Sequence, residues 1–519
     1  MKEIGVGISC FNEIIERKYL YVDKTEFIWK LLQENMGEYF LIRPHGFGKS
    51  LLISTLKAAF LGQRGLFKGL AIDKMPYSWK PYPVVHFDFG DCKANTPDKF
   101  CRYLDEALQR LATVLGITLH GCNCTLRFAD LINKAAGDEK VVVLVDNYDM
   151  PFSRNVGSPS VHGIHRLLRD FLLPIKGCND KIHFALLAGT HKIWLADCFG
   201  GLNNLTDITL KTDYAGMLGF TETEIREHFA DRIPLAAAAN GCTEEELMQT
   251  LLKWYDGYRF SNAETHVCNP VSLSTFFSNN YEFSNYWGKT GMPSFLLELA
   301  KNTRFNFELA LSQPVSDLVF GAYELDNLDP MGLLWQTGYL TIKELVPSPL
   351  GNGVFYRLGF PDLEVEQSFN TQLLTYYSGF RDMEMSAVLT RLMSSIRENR
   401  IGDFMKTLQS YFASIPYDIH GGDERYYQTI FFITFLLLGT AVEAESRTSD
   451  GRIDAVIATM DHVFIFEFKL DKPAPTALEQ IEDKEYYLKY RSSGKAITLI
   501  GASFDQSRGK LAEWKLLDL

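Results

Sequence analysis

The chain lacks a long hydrophobic run. Its most apolar stretch, Ile430 to Leu438, suits a buried helix and falls well short of the about 18 residues a membrane helix needs. No basic region followed by an apolar one opens the chain, so neither a secretory signal nor a membrane partner is expected. Cysteines number nine, an odd count without a framework, which fits reduced thiols and a cytoplasmic location. Basic residues are the minority, 52 against 64 acids, for a net charge of −12. That balance argues against a protein that coats nucleic acid non-specifically, although a local basic channel and bound metal can offset it. Cys122-Asn123-Cys124 and the His162/His165 pair lack a second pair at ligand spacing, which argues against zinc. Internal repeats and low-complexity tracts are missing as well.

What remains is the composition of a globular protein, 46% hydrophobic and 22% charged. At 519 residues the chain exceeds one ordinary core, and roughly three units are expected. The first half alternates β-rich runs (Glu38 to Ile42, Pro83 to Phe89, Lys140 to Val145, Lys181 to Leu187) with helical stretches, as a parallel α/β sheet does. From about Cys242 to Leu340 the pattern is mostly helical and aromatic. Pro347 to Gly353 reads as an exposed turn or hairpin loop, and helical periodicity resumes from Met383 to Phe412. From about Gly421 the order reads helix, strand, strand, helix, strand.

Leu41-Ile42-Arg43-Pro44-His45-Gly46-Phe47-Gly48-Lys49-Ser50 follows an apolar strand and leads into a helical run. A phosphate loop needs that context: backbone N–H groups at Gly48 and the helix start cradle phosphate, Lys49 reaches the β/γ-phosphates, and the Ser50 hydroxyl binds Mg²⁺. Arg43 stands where the strict pattern has glycine. A second apolar strand, Val141 to Val145, ends in Asp146, which would hold the metal's water shell. The next position usually supplies a carboxylate that polarises the attacking water. Asn147 occupies it, so ATP binding with slow or no turnover is expected, and Asn147→Glu should raise the rate, unless another acid such as Asp149 serves.

Near the C-terminus, Gly451 to Ile457 and His462 to Leu470 read as a hairpin joined by a polar turn. Strand alternation puts Glu467 and Lys469 on one face and Phe466 and Phe468 on the other, toward a core. Asp454 can then meet Glu467 around one divalent cation, Mg²⁺ or Mn²⁺, whose bound water attacks a phosphodiester while Lys469 orients it. A surface hairpin with charges on its wet face is the plainer alternative.

The chain resembles the AAA-ATPase-like family of bacterial proteins, which pairs a P-loop domain with a C-terminal PD-(D/E)XK nuclease-like domain. Carrying the resemblance are Tyr21-Val22-Asp23-Lys24-Thr25, Phe47 to Leu52, Gly201 to Ile208, Gly219-Phe220-Thr221, Trp254 to Tyr258, Asn269-Pro270, Tyr286-Trp287, Thr290-Gly291 and Gln336 to Leu340. It covers most of the chain. Departures are His45-Gly46 where two arginines are usual, Asn147 for glutamate, and Ala188 for the threonine before Gly189; all three point to a weakened ATPase. The resemblance implies accessory metal ligation by Glu445, with Glu424 as a further acid, and a groove-lining Gln480…Tyr486 helix with Gln480 near the metal.

These readings converge on an α/β multidomain protein. Its expected parts are a P-loop domain over residues 1–235, a helical lid over 236–345, a linker and helical connection over 346–395, and a PD-(D/E)XK nuclease-like domain over 396–519. The expected function is ATP binding coupled to metal-dependent cleavage of nucleic acid, DNA more than RNA. The alternative is an ATP-binding module that holds nucleic acid or protein without cutting.

Overall fold

The computed structural model describes residues 1–33, 37–192, 204–290, 311, 313–323, 328–348, 351, 353–380, 382–414, 434, 443–444, 455–485, 487–505 and 510–519. The chain divides into two compact units, Met1–Val365 and Glu366–Leu519. Among the described residues no helix is long and apolar enough to cross a membrane.

The first unit is built on β1 (Glu38–Ile42), β2 (Val84–Asp88), β3 (Val141–Asp146), β4 (Ile182–Gly189) and β5 (Thr206–Asp207), all parallel in the order β2-β3-β4-β1-β5. Sequence periodicity placed the first four within two residues of these bounds; β5 is too short to carry a pattern. Every residue of β3 is buried, as expected for a central parallel strand covered on both faces. Each such Val or Leu contributes about 1.5–3 kcal/mol of burial. Because β4 lies between them, the loop strand β1 and the acid strand β3 are not neighbours. Their C-terminal ends nevertheless share one edge, where ligands of open parallel sheets bind.

Helices Glu222–His228, Ile233–Asn240, Glu244–Tyr255 and Pro270–Ser278 form the helical region. Two begin with capping boxes, Thr221 with Glu224 and Thr243 with Glu246, which satisfy first-turn N–H groups. Leu247, Leu251, Tyr255, Phe276 and Phe277 make its core. After helix Pro330–Thr337 comes an antiparallel hairpin, β6 (Thr341–Pro347) with β7 (Val354–Gly359), in line with the turn read at 347–353.

In the second unit, helices Asp382–Arg397 and Ile401–Ser414 precede β8 (Glu443–Ala444), β9 (Ala455–Ala458), β10 (His462–Leu470), β11 (Ala496–Asp505) and β12 (Lys510–Asp518). The sheet order is β12-β11-β10-β9-β8. The hairpin read from sequence is present, β9 antiparallel to β10. β10 and β11 are parallel, connected through helix Ala474–Asp483, and β12 is an addition that sequence periodicity did not separate from its neighbour. Phe404 packs on Phe466 across one face of β10, ring centroids 5.7 Å apart. The opposite face, with Val463 and Ile465, packs with Ile481 and Leu499. The face carrying Glu467 is therefore covered, and the surface-hairpin alternative fails because its wet face is a core. Glu424, Glu445, Asp454, Tyr486 and nearly all of Ile430 to Leu438 lie outside the described residues.

Candidate functional site

β1 delivers the chain to a turn, Arg43 to Gly48, that enters helix Lys49–Phe60. Gly46 and Gly48 have φ of 83° and 86°, a region that disfavours side chains. A Cβ on Gly46 would lie 2.7 Å from Asn269 Oδ1, whereas Gly48 faces open space. The Lys49 ammonium bends back and donates to the carbonyls of Arg43 (2.7 Å) and Pro44 (3.0 Å), with Thr190 Oγ1 at 3.4 Å. Burial pulls its pKa down to about 8. Above the turn opens a cavity of about 280 Å³, lined in part by His45, Gly46, Lys49, Ser50 and Asn147.

Asp146, at the end of β3, is 2% exposed, and its Oδ1 is buried without a hydrogen-bond partner. Burial pushes its carboxyl up to about 6; a Ser50 hydrogen bond opposes that shift, and the neighbouring Asp88 charge adds to it. An orphaned carboxylate oxygen beside a serine hydroxyl is the donor set a hard cation takes. Together with the free N–H groups of a helix start, these residues fit a nucleotide with its divalent cation.

The sequence departures have structural accounts. Arg43 turns away from the loop: its guanidinium donates to Ile42 O (2.9 Å) and Thr209 O (2.8 Å) and stacks over Phe260, 4.3 Å from the ring centroid. Burial lowers His45 to about 4, so it is neutral near pH 7 and supplies no cation. Asn147 adopts a left-handed backbone, φ 52°, and donates from Nδ2 to Asp88 Oδ1 at 3.0 Å. Asp149 is committed elsewhere: its Oδ2 accepts from the Thr190 and His191 N–H groups (3.1 and 3.0 Å) and lies 2.7 Å from His191 Nδ1. At 2% exposed it is shut off from bulk water, which disfavours it as the substitute acid. Ala188 is buried, and the hydroxyl beside Lys49 comes from Thr190 instead.

Scattered motifs of the middle region converge on the same loop. Asn269 caps helix Pro270–Ser278 with Oδ1 and donates from Nδ2 to His45 O at 3.1 Å. Phe47 packs edge-on against Tyr258 and Phe260, centroids 4.7 and 5.2 Å away. Gly338 closes helix Pro330–Thr337 at φ 92°, and a Cβ there would sit 2.6 Å from Pro44 Cβ. Gln336 instead reaches the segment after β4, its Oε1 accepting from Lys192 N at 2.8 Å.

In the second unit, β10 presents Glu467 and Lys469 beneath helix Ala474–Asp483. Glu467 is 3% exposed, and its Oε1 accepts from Lys469 Nζ at 2.8 Å and from Gln480 Nε2. Lys469 Nζ also donates to Gln480 Oε1 at 2.6 Å. Three residues named from sequence thus form one cluster around the buried Glu467, with Lys469 and Gln480 half-buried. At the described end of β9, Ala455 pairs with Phe466, the residue before Glu467, and Asp454 is the next residue along the chain.

Two models of known families match the chain. One, described as predicted AAA-ATPase, covers residues 5–199, and one described as PD-(D/E)XK nuclease superfamily covers 422–514. A curated relative, an uncharacterized protein in the vnfD 5′ region of Azotobacter chroococcum mcd 1, is 35% identical over 521 residues, 97% of each chain. This chain belongs to the AAA-ATPase-like family with a PD-(D/E)XK domain.

For a member of that family, a nucleotide and a divalent metal are the general ligands. Sequence reasoning missed Asp88, Thr190 and Lys192. Asp88 had a usable signal: Val84-Val85-His86-Phe87-Asp88 is a second apolar strand ending in an acid, beside Val141 to Asp146. Cys124 also gained unforeseen neighbours, since Cys101, Asp105 and Cys124 have ligand atoms within 4.8 Å of one another. Asp105 Oδ1 is taken up by Arg127 at 2.7 Å, which disfavours a cation there.

Proposed function

We propose that the protein is a nucleotide-binding nuclease whose C-terminal domain hydrolyses phosphodiester bonds with Asp454, Glu467 and Lys469, Gln480 supporting them. The observation that carries this reading is the Glu467–Lys469–Gln480 cluster, with Glu467 buried at its centre. Burying a carboxylate is costly unless it is bonded, and packing an apolar residue there would be simpler for stability alone. A divalent cation, Mg²⁺ or Mn²⁺, would be held by Asp454 and Glu467, with Glu445 as a further ligand, and would supply Lewis acidity and an acidified water. Lys469 offers its ammonium to the charge that grows on the phosphate, and Gln480 holds both neighbours in register. Lys49, Gly48, Ser50 and Asp146 bind ATP, and slow ATP turnover regulates rather than powers cleavage. DNA is the favoured substrate over RNA, and the cytoplasm the favoured location.

Plasmid DNA, single-stranded DNA and RNA are incubated with the full chain and Mg²⁺ or Mn²⁺. Cleavage is expected, and Glu467→Ala or Lys469→Ala should abolish it. Cleavage that survives both substitutions, or no cleavage of any substrate, sinks the nuclease reading; binding without cutting would favour an interaction module. For the first domain, Lys49→Ala should weaken ATP binding about 10–100-fold, as expected for losing a charged hydrogen-bond donor. Unchanged affinity would mean the loop is structural.

A further inference from the structure

The position after Asp146 carries no acid, yet an acid stands beside it. Asp88 ends β2 in register with Asp146 at the end of β3, so both carboxylates leave the sheet at the same edge as the phosphate loop. Asp88 Oδ1 accepts from Asn147 Nδ2 at 3.0 Å and from Gly90 N at 2.7 Å. The turn is closely fitted around this contact: a Cβ on Gly90 would lie 3.0 Å from Asp88 Oδ1 and 3.3 Å from Asn147 Nδ2. Asn147 lines the cavity that also holds Lys49 and Ser50. Among the described residues no hydrogen bond engages Asp88 Oδ2, and the side chain is exposed, so water reaches it. Asp149, by contrast, is 2% exposed, with its Oδ2 bonded to Thr190 and His191, so bulk water does not reach it as it reaches Asp88. The Asp88 charge is also near enough to Asp146 to disfavour ionisation there.

We infer that Asp88, borne by the neighbouring strand and held by Asn147, is the carboxylate that takes the proton from the attacking water in ATP hydrolysis; this rests on the nucleotide-binding reading above. In that step the water oxygen bonds to the γ-phosphorus while the bond from that phosphorus to the β,γ-bridging oxygen breaks. The proton passes to Asp88, and ADP and inorganic phosphate leave. An amide at 147 is then no deletion. It is a positioning residue, donating to one oxygen of Asp88 and leaving the other for water. The shorter aspartate, open to solvent, makes the turnover slow rather than absent.

The test measures two quantities on the full chain: affinity for a fluorescent ATP analogue with Mg²⁺, and the ATP-to-ADP ratio of nucleotide recovered from the protein after long incubation. Wild type should bind, and its pool should convert slowly to ADP. Asp88→Asn should bind within about twofold of wild type and retain ATP, with turnover lowered about 10²-fold or more, the scale of general-base assistance. Asn147→Ala should lower kcat about tenfold with KM unchanged, and Asp88→Glu should keep part of the rate. Turnover by Asp88→Asn at the wild-type rate overturns the inference. So does conversion no faster than in Lys49→Ala while wild type binds ATP, since then no base operates. Loss of Mg²⁺-ATP affinity in Asp88→Asn, with its thermal melt unchanged, would make Asp88 a metal ligand and not the base. Failure of wild type to bind any nucleotide sinks the nucleotide reading itself, and the inference with it.

Discussion

Gln480 and Lys469 meet side chain to side chain, the amide oxygen 2.6 Å from the ammonium nitrogen, although they lie on different elements. The same amide donates to Glu467, so it spans both charged groups. Gln480→Ala should therefore leave both charges in place but poorly held. Groups that orient metal ligands typically matter 10–100-fold, and Mn²⁺ affinity, read by calorimetry, should fall by about that factor while the melt shifts little. Unaltered Mn²⁺ binding in Gln480→Ala would place the amide outside the metal site.

The two halves of the chain were legible to different degrees. Buried parallel strands such as Val141 to Asp146 announce themselves as apolar runs, so the first sheet was readable almost to the residue. Glu467 and Lys469 were assigned to one face from alternation alone, which is geometry the chain cannot evade. What covers that face was not in the alternation: the resemblance placed Gln480 near the metal, but the packing of helix Ala474–Asp483 over Val463 and Ile465 is a tertiary fact. Asp88 was visible as an acid ending an apolar strand, but its relation to Asp146 was not: that depends on which strand lies beside β3, and strand order is not written in local periodicity. The meeting of Gly338 with Pro44 joins positions about 300 residues apart that no spacing rule connects.

Gly338→Ala tests that junction. A left-handed residue costs roughly 1 kcal/mol more with a side chain, and the added methyl would press on Pro44, which opens the phosphate loop. ATP affinity should drop several-fold together with a lower melting temperature. A melt shifted without any change in ATP affinity would show that the contact supports the fold alone.

Glu38 begins β1 with one carboxylate oxygen buried and unpaired, and burial raises its carboxyl to about 7. The folded state thus prefers the protonated form. The stability this contributes is complete below the ordinary glutamate range and is lost as pH rises through 7. Glu38→Gln, which cannot ionise, should melt about 2 °C above wild type at pH 8 and level with it at pH 4, a modest gain because the side chain is partly exposed. Equal melting temperatures at pH 8 would mean that water relieves the charge.

Asn147→Glu, which simple restoration of the usual acid would favour, should not raise ATP turnover. Residue 147 has φ 52°, a conformation that asparagine tolerates far better than glutamate. More important is the contact it makes, since the amide Nδ2 donates to Asp88 Oδ1 at 3.0 Å. Glutamate has no donor to offer, so the substitution would replace a hydrogen bond with two like charges near a third, Asp146. Such neighbours raise one another's pKa, and one of them would hold a proton near neutrality. Adding an acid here therefore disables the acid already present. A phosphate-release assay should find Asn147→Glu slower than wild type, and the double substitution Asp88→Asn with Asn147→Glu, which removes the like-charge contact and reverses the donor, faster than Asn147→Glu alone. A single Asn147→Glu variant faster than wild type would mean that the site wants its carboxylate at 147 and that Asp88 is a bystander.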